Sequence, residues 1–181
     1  SKNELKRTQN QGSWKDLFLI KRILRREFGE FSAKIMFFNH HACHIASVFD
    51  LSGLNEALVL SYDGGGEDLS TLLLYKDKST TTEILKEKWP NSLGHFYSFF
   101  TGYLGFRMLE DEYKVMGLAP YGKPIYRDVL LDEILELKGN GRYKLNTTVV
   151  DYHDALEGRF DDGVSKLFGL PRRQGEPITD L

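Results

Sequence analysis

Residues 37–67 constrain the fold more than any other stretch. They hold a short apolar run, the cluster His40-His41-Ala42-Cys43-His44, a stretch of helical spacing, a second apolar run, and then Asp63-Gly64-Gly65-Gly66-Glu67. The pattern reads as strand, helix, strand and tight turn. A helix after Asn39 places His40 and His44 one turn apart on one face, with Cβ atoms about 6 Å apart. A strand over 57–62 that returns beside this helix brings Asp63 level with its first turn. His40, His44 and Asp63 are therefore candidate metal ligands. Two imidazoles and a carboxylate suit iron, manganese or zinc better than calcium or magnesium, which prefer all-oxygen shells. Three protein ligands leave positions open to polarise a substrate oxygen or hold an anion. In the structural alternative the histidines cap the helix and Asp63 serves only the turn. His41 points away from the pair, to orient another group or to meet solvent.

Composition limits what can surround this unit. The 181 residues suffice for one good core. With 24 basic and 26 acidic residues the formal charge is -2, which gives no overall reason to expect nucleic acid or an anionic membrane as partner. No apolar run approaches the ~20 residues that span a bilayer, and the polar residues 1–12 lack a signal-peptide pattern, so a cytoplasmic location is expected. Cys43 is the only cysteine, and a chain without an internal disulfide fits a reducing compartment. Placed directly before His44, it is awkward as a third ligand beside both histidines and is expected to be a small buried side chain.

Along the chain, residues 1–12 form a polar, flexible start, and residues 13–181 read as one incomplete domain. Leu17, Ile20, Leu24, Phe28 and Phe31 recur at helical spacing, with Lys21, Arg22, Arg25 and Arg26 mainly elsewhere. That basic face is either solvated or a phosphate or acidic-partner patch. Strands are expected at 34–38, 57–62, 69–75 and 81–88, forming a small mixed sheet. The glycine triplet allows positive φ or close backbone approach; its N–H groups can face an anion, or it can be a turn alone. Asn91 or Ser92 caps a helix over 93–106, whose Phe96, Tyr97, Phe99, Phe100, Tyr103, Leu104 and Phe106 make it central core. Glu110 can pair with Lys114 at i, i+4. Alternatively, Lys114 contacts a phosphate or carboxylate beside Gly117, where the missing side chain admits a ligand. An amphipathic helix is expected over 125–137, ended by Gly139-Asn140-Gly141, then a short strand at 143–145 and a partly helical stretch over 151–168. The prolines Pro171 and Pro177 extend the tail, and the chain stops at Leu181 without a terminating element, as an internal fragment would.

Six segments together resemble one family. They are Asn39-His40-His41-Ala42-Cys43-His44; Asp63-Gly64-Gly65-Gly66-Glu67; Ser92-Leu93-Gly94 with Phe96-Tyr97; Leu104-Gly105-Phe106; Glu112-Tyr113-Lys114-Val115-Met116-Gly117-Leu118-Ala119-Pro120-Tyr121-Gly122; and Gly175-Glu176-Pro177-Ile178-Thr179. In this order they are similar to the N-terminal domain of carbamoyltransferases, the nodulation-type and antibiotic-tailoring O-carbamoyltransferases among them. The resemblance implies an α/β fold with a partial actin/Hsp70/sugar-kinase-like (ribonuclease-H-like) core, a mixed sheet and flanking helices. It implies a metal, iron foremost, on His40, His44 and Asp63. Gly64, Gly65, Gly66 and Glu67 would border the cofactor site, with Lys114 and Gly117 as further candidates. The implied reaction moves a carbamoyl group from carbamoyl phosphate, through an ATP-derived carbamoyl adenylate, to a hydroxyl of a sugar or natural product.

The departures from that family are specific. Its opening hairpin is not visible here, and its second core half, which carries a further ligand aspartate, and its adenylate-forming domain would lie past Leu181. Cys43 stands where a small apolar residue is expected. The chain therefore reads as a fragment, inactive alone, whose partners would be the remainder of the polypeptide or a second copy paired at a free sheet edge. Other readings on the same core are a non-catalytic metal- or nucleotide-binding module and a relative acting in tRNA threonylcarbamoyl transfer.

Overall fold

A computed structural model describes residues 19–178, in two compact units divided between Phe37 and Phe38. The flexible start expected at 1–12, the beginning of the basic helix and the last residues of the tail lie outside the described residues. In the first unit, helix α1 (Ile20–Phe28) carries Arg25 and Arg26 in its last turn, where cations complement the helix dipole. It ends at Gly29, whose φ of 78° favours glycine. None of its residues is buried. Residues 34–38 form no strand, and Met36, Phe37 and Phe38 are exposed. An apolar run becomes a strand only where a neighbour completes its ladder, and no described strand pairs with this one.

The second unit begins with helix α2 (His40–Ile45), capped by Asn39, whose side-chain oxygen accepts the Ala42 N–H at 3.0 Å. It runs on as a π-helical turn, Ala46–Asp50, and ends before Gly53. Strands β1 (Glu56–Gly66), β2 (Leu69–Asp77) and β3 (Thr81–Lys88) follow as an antiparallel meander in the order β1-β2-β3. The fold is α/β, as expected, but the sheet is antiparallel and not mixed. Connections of two or three residues can only reverse the chain, whereas a parallel neighbour needs a long crossover. In register, Val59 lies opposite Leu74 and Ser61 opposite Leu72. This face packs with Ile45 and Phe49 into a first core. The opposite face leaves Leu58, Leu60 and Tyr62 exposed.

Helix α3 (Leu93–Tyr103) is the centre of a second core. Ser92 caps it, accepting the His95 N–H at 3.1 Å. Phe99 and Tyr103 are buried against Ile134, Tyr143, Leu145, Val150, Ala155 and Val164. Helices α4 (Glu112–Leu118) and α5 (Arg127–Glu133) precede a hairpin of β4 (Leu135–Leu137) and β5 (Tyr143–Leu145), followed by α6 (Tyr152–Leu156) and α7 (Asp162–Phe168). The helix expected over 125–137 is thus shorter, and its end is a strand. Asn140 and Gly141 adopt φ of 61° and 73°, the left-handed pair of a tight hairpin turn, so that Gly139-Asn140-Gly141 folds β4 onto β5 instead of ending a helix.

Asn91 joins the two cores. Its side chain donates to the Tyr143 carbonyl at 3.0 Å and accepts the Leu145 N–H at 2.9 Å, while its carbonyl accepts from Ser70 at 2.6 Å. Among the described residues no helix is long and apolar enough to cross a membrane. Phe99 is 1% exposed, so Phe99→Ala leaves a cavity at the centre of the second core. A loss of about 3–5 kcal/mol is expected in urea unfolding.

Candidate metal centre

The cap on α2 and the end of β1 set the geometry. Starting the helix at Asn39 puts His40 and His44 on the face towards the end of β1, where Asp63 stands. His40 Nε2 lies 2.7 Å from Asp63 Oδ2, His44 Nε2 lies 3.2 Å from the same oxygen, and the two Nε2 atoms are 3.0 Å apart. Protons fill this triangle poorly. Each imidazole can donate its Nε2 proton to Asp63, but the nitrogen-to-nitrogen edge is then left without one. A divalent cation about 2.1 Å from each donor holds adjacent donors about 3 Å apart, which suits all three edges at once. All three side chains are part-exposed, so a bound ion would keep positions open to solvent or ligand. The residues present fit a metal.

The carboxylate is prepared for that role. Burial pushes the Asp63 carboxyl up. Hydrogen bonds from His40, from the Gly64 N–H at 2.6 Å and from His44 outweigh it and hold the group below the ordinary aspartate value. Glu67, at φ 50°, accepts from the Asn39 side chain at 2.7 Å and from the His40 N–H at 3.3 Å, so it clamps the start of α2 to the turn. His41 is fully buried and bolts the helix to the sheet. Its Nε2 lies 3.1 Å from the Leu69 carbonyl and its Nδ1 2.8 Å from Ser61 Oγ. A carbonyl only accepts, which assigns the proton to Nε2 and makes Nδ1 the acceptor from Ser61.

The glycines are needed for close approach and not for positive φ. A Cβ on Gly66 would fall inside the His40 side chain, and one on Gly64 would lie 3.1 Å from the His95 ring. From the other side, a Cβ on Gly94 would lie 2.6 Å from the Gly64 nitrogen. The turn is therefore pressed between α2 and α3. Gly64, Gly65 and Gly66 border the cluster as backbone, although the Gly64 N–H is already engaged by Asp63.

Lys114 and Gly117 both lie in helix α4. Lys114 pairs with Asp111 at 2.9 Å and lies over the Tyr113 ring, while Glu110 pairs with Arg107 at 2.8 Å, which replaces the expected Glu110–Lys114 pair. Gly117 faces open space. Cys43, expected to be buried, is exposed, because His41 and Ile45 occupy the sheet-facing side of α2. Sequence reasoning passed over Trp89, His95 and Tyr152, which lie in irregular or core-like stretches with no motif of their own.

Residues 9–175 match the family described as the carbamoyltransferase N-terminus. The chain belongs to this family. It is 40% identical over 171 residues to an uncharacterized protein of Synechocystis, covering 88% of this chain and 27% of the relative. The nodulation protein NolNO of Sinorhizobium fredii is 39% identical over 164 residues, covering 89% of this chain and 22% of its own length. The nodulation protein NolO of Bradyrhizobium diazoefficiens is 42% identical over 108 residues, with coverages of 60% and 20%. The chain thus spans about a quarter of the length of the curated relatives it matches.

Two measurements test these assignments. Gly66→Ala forces His40 aside and is expected to weaken zinc or manganese binding at least about tenfold by calorimetry. Gly117→Ala, in helix α4, should leave binding unchanged and add up to about 1 kcal/mol of stability. The second concerns pH. The Lys114 hydrogen bond and the Arg107 N–H lower the pKa of the buried Asp111 carboxyl. Its contribution to stability is complete above the ordinary value of 3.8 and disappears as pH falls through the lowered folded value. Asp111→Asn should therefore flatten the acid limb of a stability-against-pH curve below about pH 4.

Proposed function

We propose that this chain is part of the N-terminal domain of an O-carbamoyltransferase. In this reading the longer polypeptide moves a carbamoyl group from carbamoyl phosphate, through an ATP-derived carbamoyl adenylate, to a hydroxyl of a small-molecule acceptor such as a sugar or natural product. The observation that carries it is the convergence of His40, His44 and Asp63, in a chain whose family is that of the carbamoyltransferases. The fold around them would be the first part of an actin/Hsp70/sugar-kinase-like core, in the cytoplasm.

Three residues hold the metal in this reading, iron foremost and manganese or zinc as alternatives. A metal bound there supplies a Lewis acid that polarises a bound oxyanion. The chain's own groups do the positioning. Glu67 and Asn39 fix the start of α2, His41 fixes its distance from the sheet, and the hydrogen bond from the Gly64 N–H aims the second oxygen of Asp63 at the histidines. A phosphate-bearing ligand would meet Gly64, Gly65 and Gly66 as backbone beside the cluster, the space of their missing side chains being taken by His40, His95 and Trp89. We assign the exposed row Leu58, Leu60 and Tyr62, on a strand whose outer edge is unpaired among the described residues, to contact with the rest of the polypeptide. A second copy pairing there is the form an isolated chain would take.

The test is metal content together with turnover. The purified chain should bind iron, manganese or zinc at one per chain, and His40→Ala and Asp63→Ala should each abolish it. In the full-length protein, the same substitutions should remove carbamoyl phosphate-dependent ATP turnover. Metal-free, folded wild-type chain together with undiminished turnover in both variants would reject the assignment.

A further inference from the structure

His95, in the first turn of α3, packs a ring edge on the glycine turn. Its Cδ2 and Nε2 atoms each lie 3.1 Å from where a Cβ on Gly64 would stand, so they fill the side-chain space of the residue that follows Asp63. The ring itself is not one of the three clustered side chains.

An imidazole turns easily about its last side-chain bond, but this one is held from three directions. Trp89 Nε1–H donates to His95 Nδ1 at 2.9 Å, and because an indole nitrogen can only donate, Nδ1 is the acceptor. Tyr152 stacks on the ring at 3.7 Å and 12°. The Cδ2–Nε2 edge is then the one turned to Gly64. Trp89 is anchored in its turn, since its backbone N–H donates to the Asp68 carbonyl at 3.0 Å and its Cδ1 lies 3.5 Å from the Cβ position of Gly65. The Trp89–His95 pair is thus fastened to the hairpin that it braces.

What the brace controls is the Asp63 carboxylate. The Gly64 N–H holds Asp63 Oδ1 at 2.6 Å, and Oδ2 alone meets the two imidazoles, at 2.7 and 3.2 Å. Asp63 therefore offers one oxygen. A carboxylate free to turn offers both, which suits larger, oxygen-preferring ions, whereas one oxygen beside two imidazoles suits a compact ion such as zinc. Keeping Gly64 in place keeps Oδ1 away from the ion.

We propose that His95, aligned by Trp89, is a positioning residue that locks Gly64, restricts Asp63 to one oxygen and so raises the preference of the site for zinc over manganese. This inference rests on the reading of His40, His44 and Asp63 as metal ligands and adds which neighbours decide the ion.

Zinc and manganese binding to the 181-residue chain, measured by calorimetry, is paired with amide exchange of Gly64 by NMR in the metal-free protein. In His95→Ala the Gly64 amide is expected to exchange at least about tenfold faster, while Leu72 and Leu74 in the central strand keep their rates. Zinc should bind about tenfold more weakly, and manganese within about twofold of wild type. His95→Phe keeps a flat ring against Gly64 and should recover most of the zinc affinity. Trp89→Phe keeps a ring but removes the hydrogen bond that aligns His95, and should give an intermediate loss; it decides the matter if His95→Ala does not fold. Equal weakening of both metals would mark a merely structural role and overturn the proposal. Metal binding that is present but keeps its zinc-to-manganese ratio and its Gly64 exchange rate in both His95→Ala and Trp89→Phe rejects the proposal alone. A folded wild type that binds neither metal rejects the metal site itself, and the proposal with it.

Discussion

The end of β1 is held from two sides at distances that only glycine tolerates. His40 occupies the space a side chain on Gly66 would take, and the first turn of α3 touches the backbone of Asp63 and Gly64 through Gly94. Ser92 adds its hydroxyl to the Gly64 carbonyl at 2.7 Å. Because the turn cannot shift towards either helix, Asp63 has one place to be. The separation between its carboxylate and the two imidazoles is set by packing before any ion is bound, which is what preorganises a site.

His41 supplies the complementary constraint. A helix of six residues has little stability of its own. Here it is fastened by one fully buried imidazole whose two nitrogens are both satisfied by the sheet. Breaking that bolt would strand a hydroxyl and a carbonyl without partners, which makes the arrangement all-or-none. Two successive histidines thus do opposite work. His40 presents a nitrogen to the cluster, and His41 fixes the helix that presents it.

Much of the local structure was legible because it rests on near-neighbour chemistry. The cap at Asn39, the i, i+4 spacing of His40 and His44, the strand leading to Asp63 and the aromatic helix beginning after Ser92 follow from periodicity and capping. The misreadings share one cause. The apolar run at 34–38 has strand composition but no partner, residues 135–137 have helical spacing but meet Tyr143–Leu145 across a tight turn, and Cys43 is small but faces outward. In each case the deciding neighbour is distant in sequence or absent from the described residues.

The candidate site divides in the same way. The sequence by itself determined which three side chains can converge, because helical pitch and strand termination are properties of the backbone. It also determined that glycines must follow Asp63, without revealing why. Only the tertiary structure decided that Glu67 clamps the helix start, that Lys114 pairs with Asp111, and that Trp89 fixes the tautomer of His95 behind the turn. Those outcomes depend on hydrogen bonds and close contacts between elements, whose geometry no local pattern encodes.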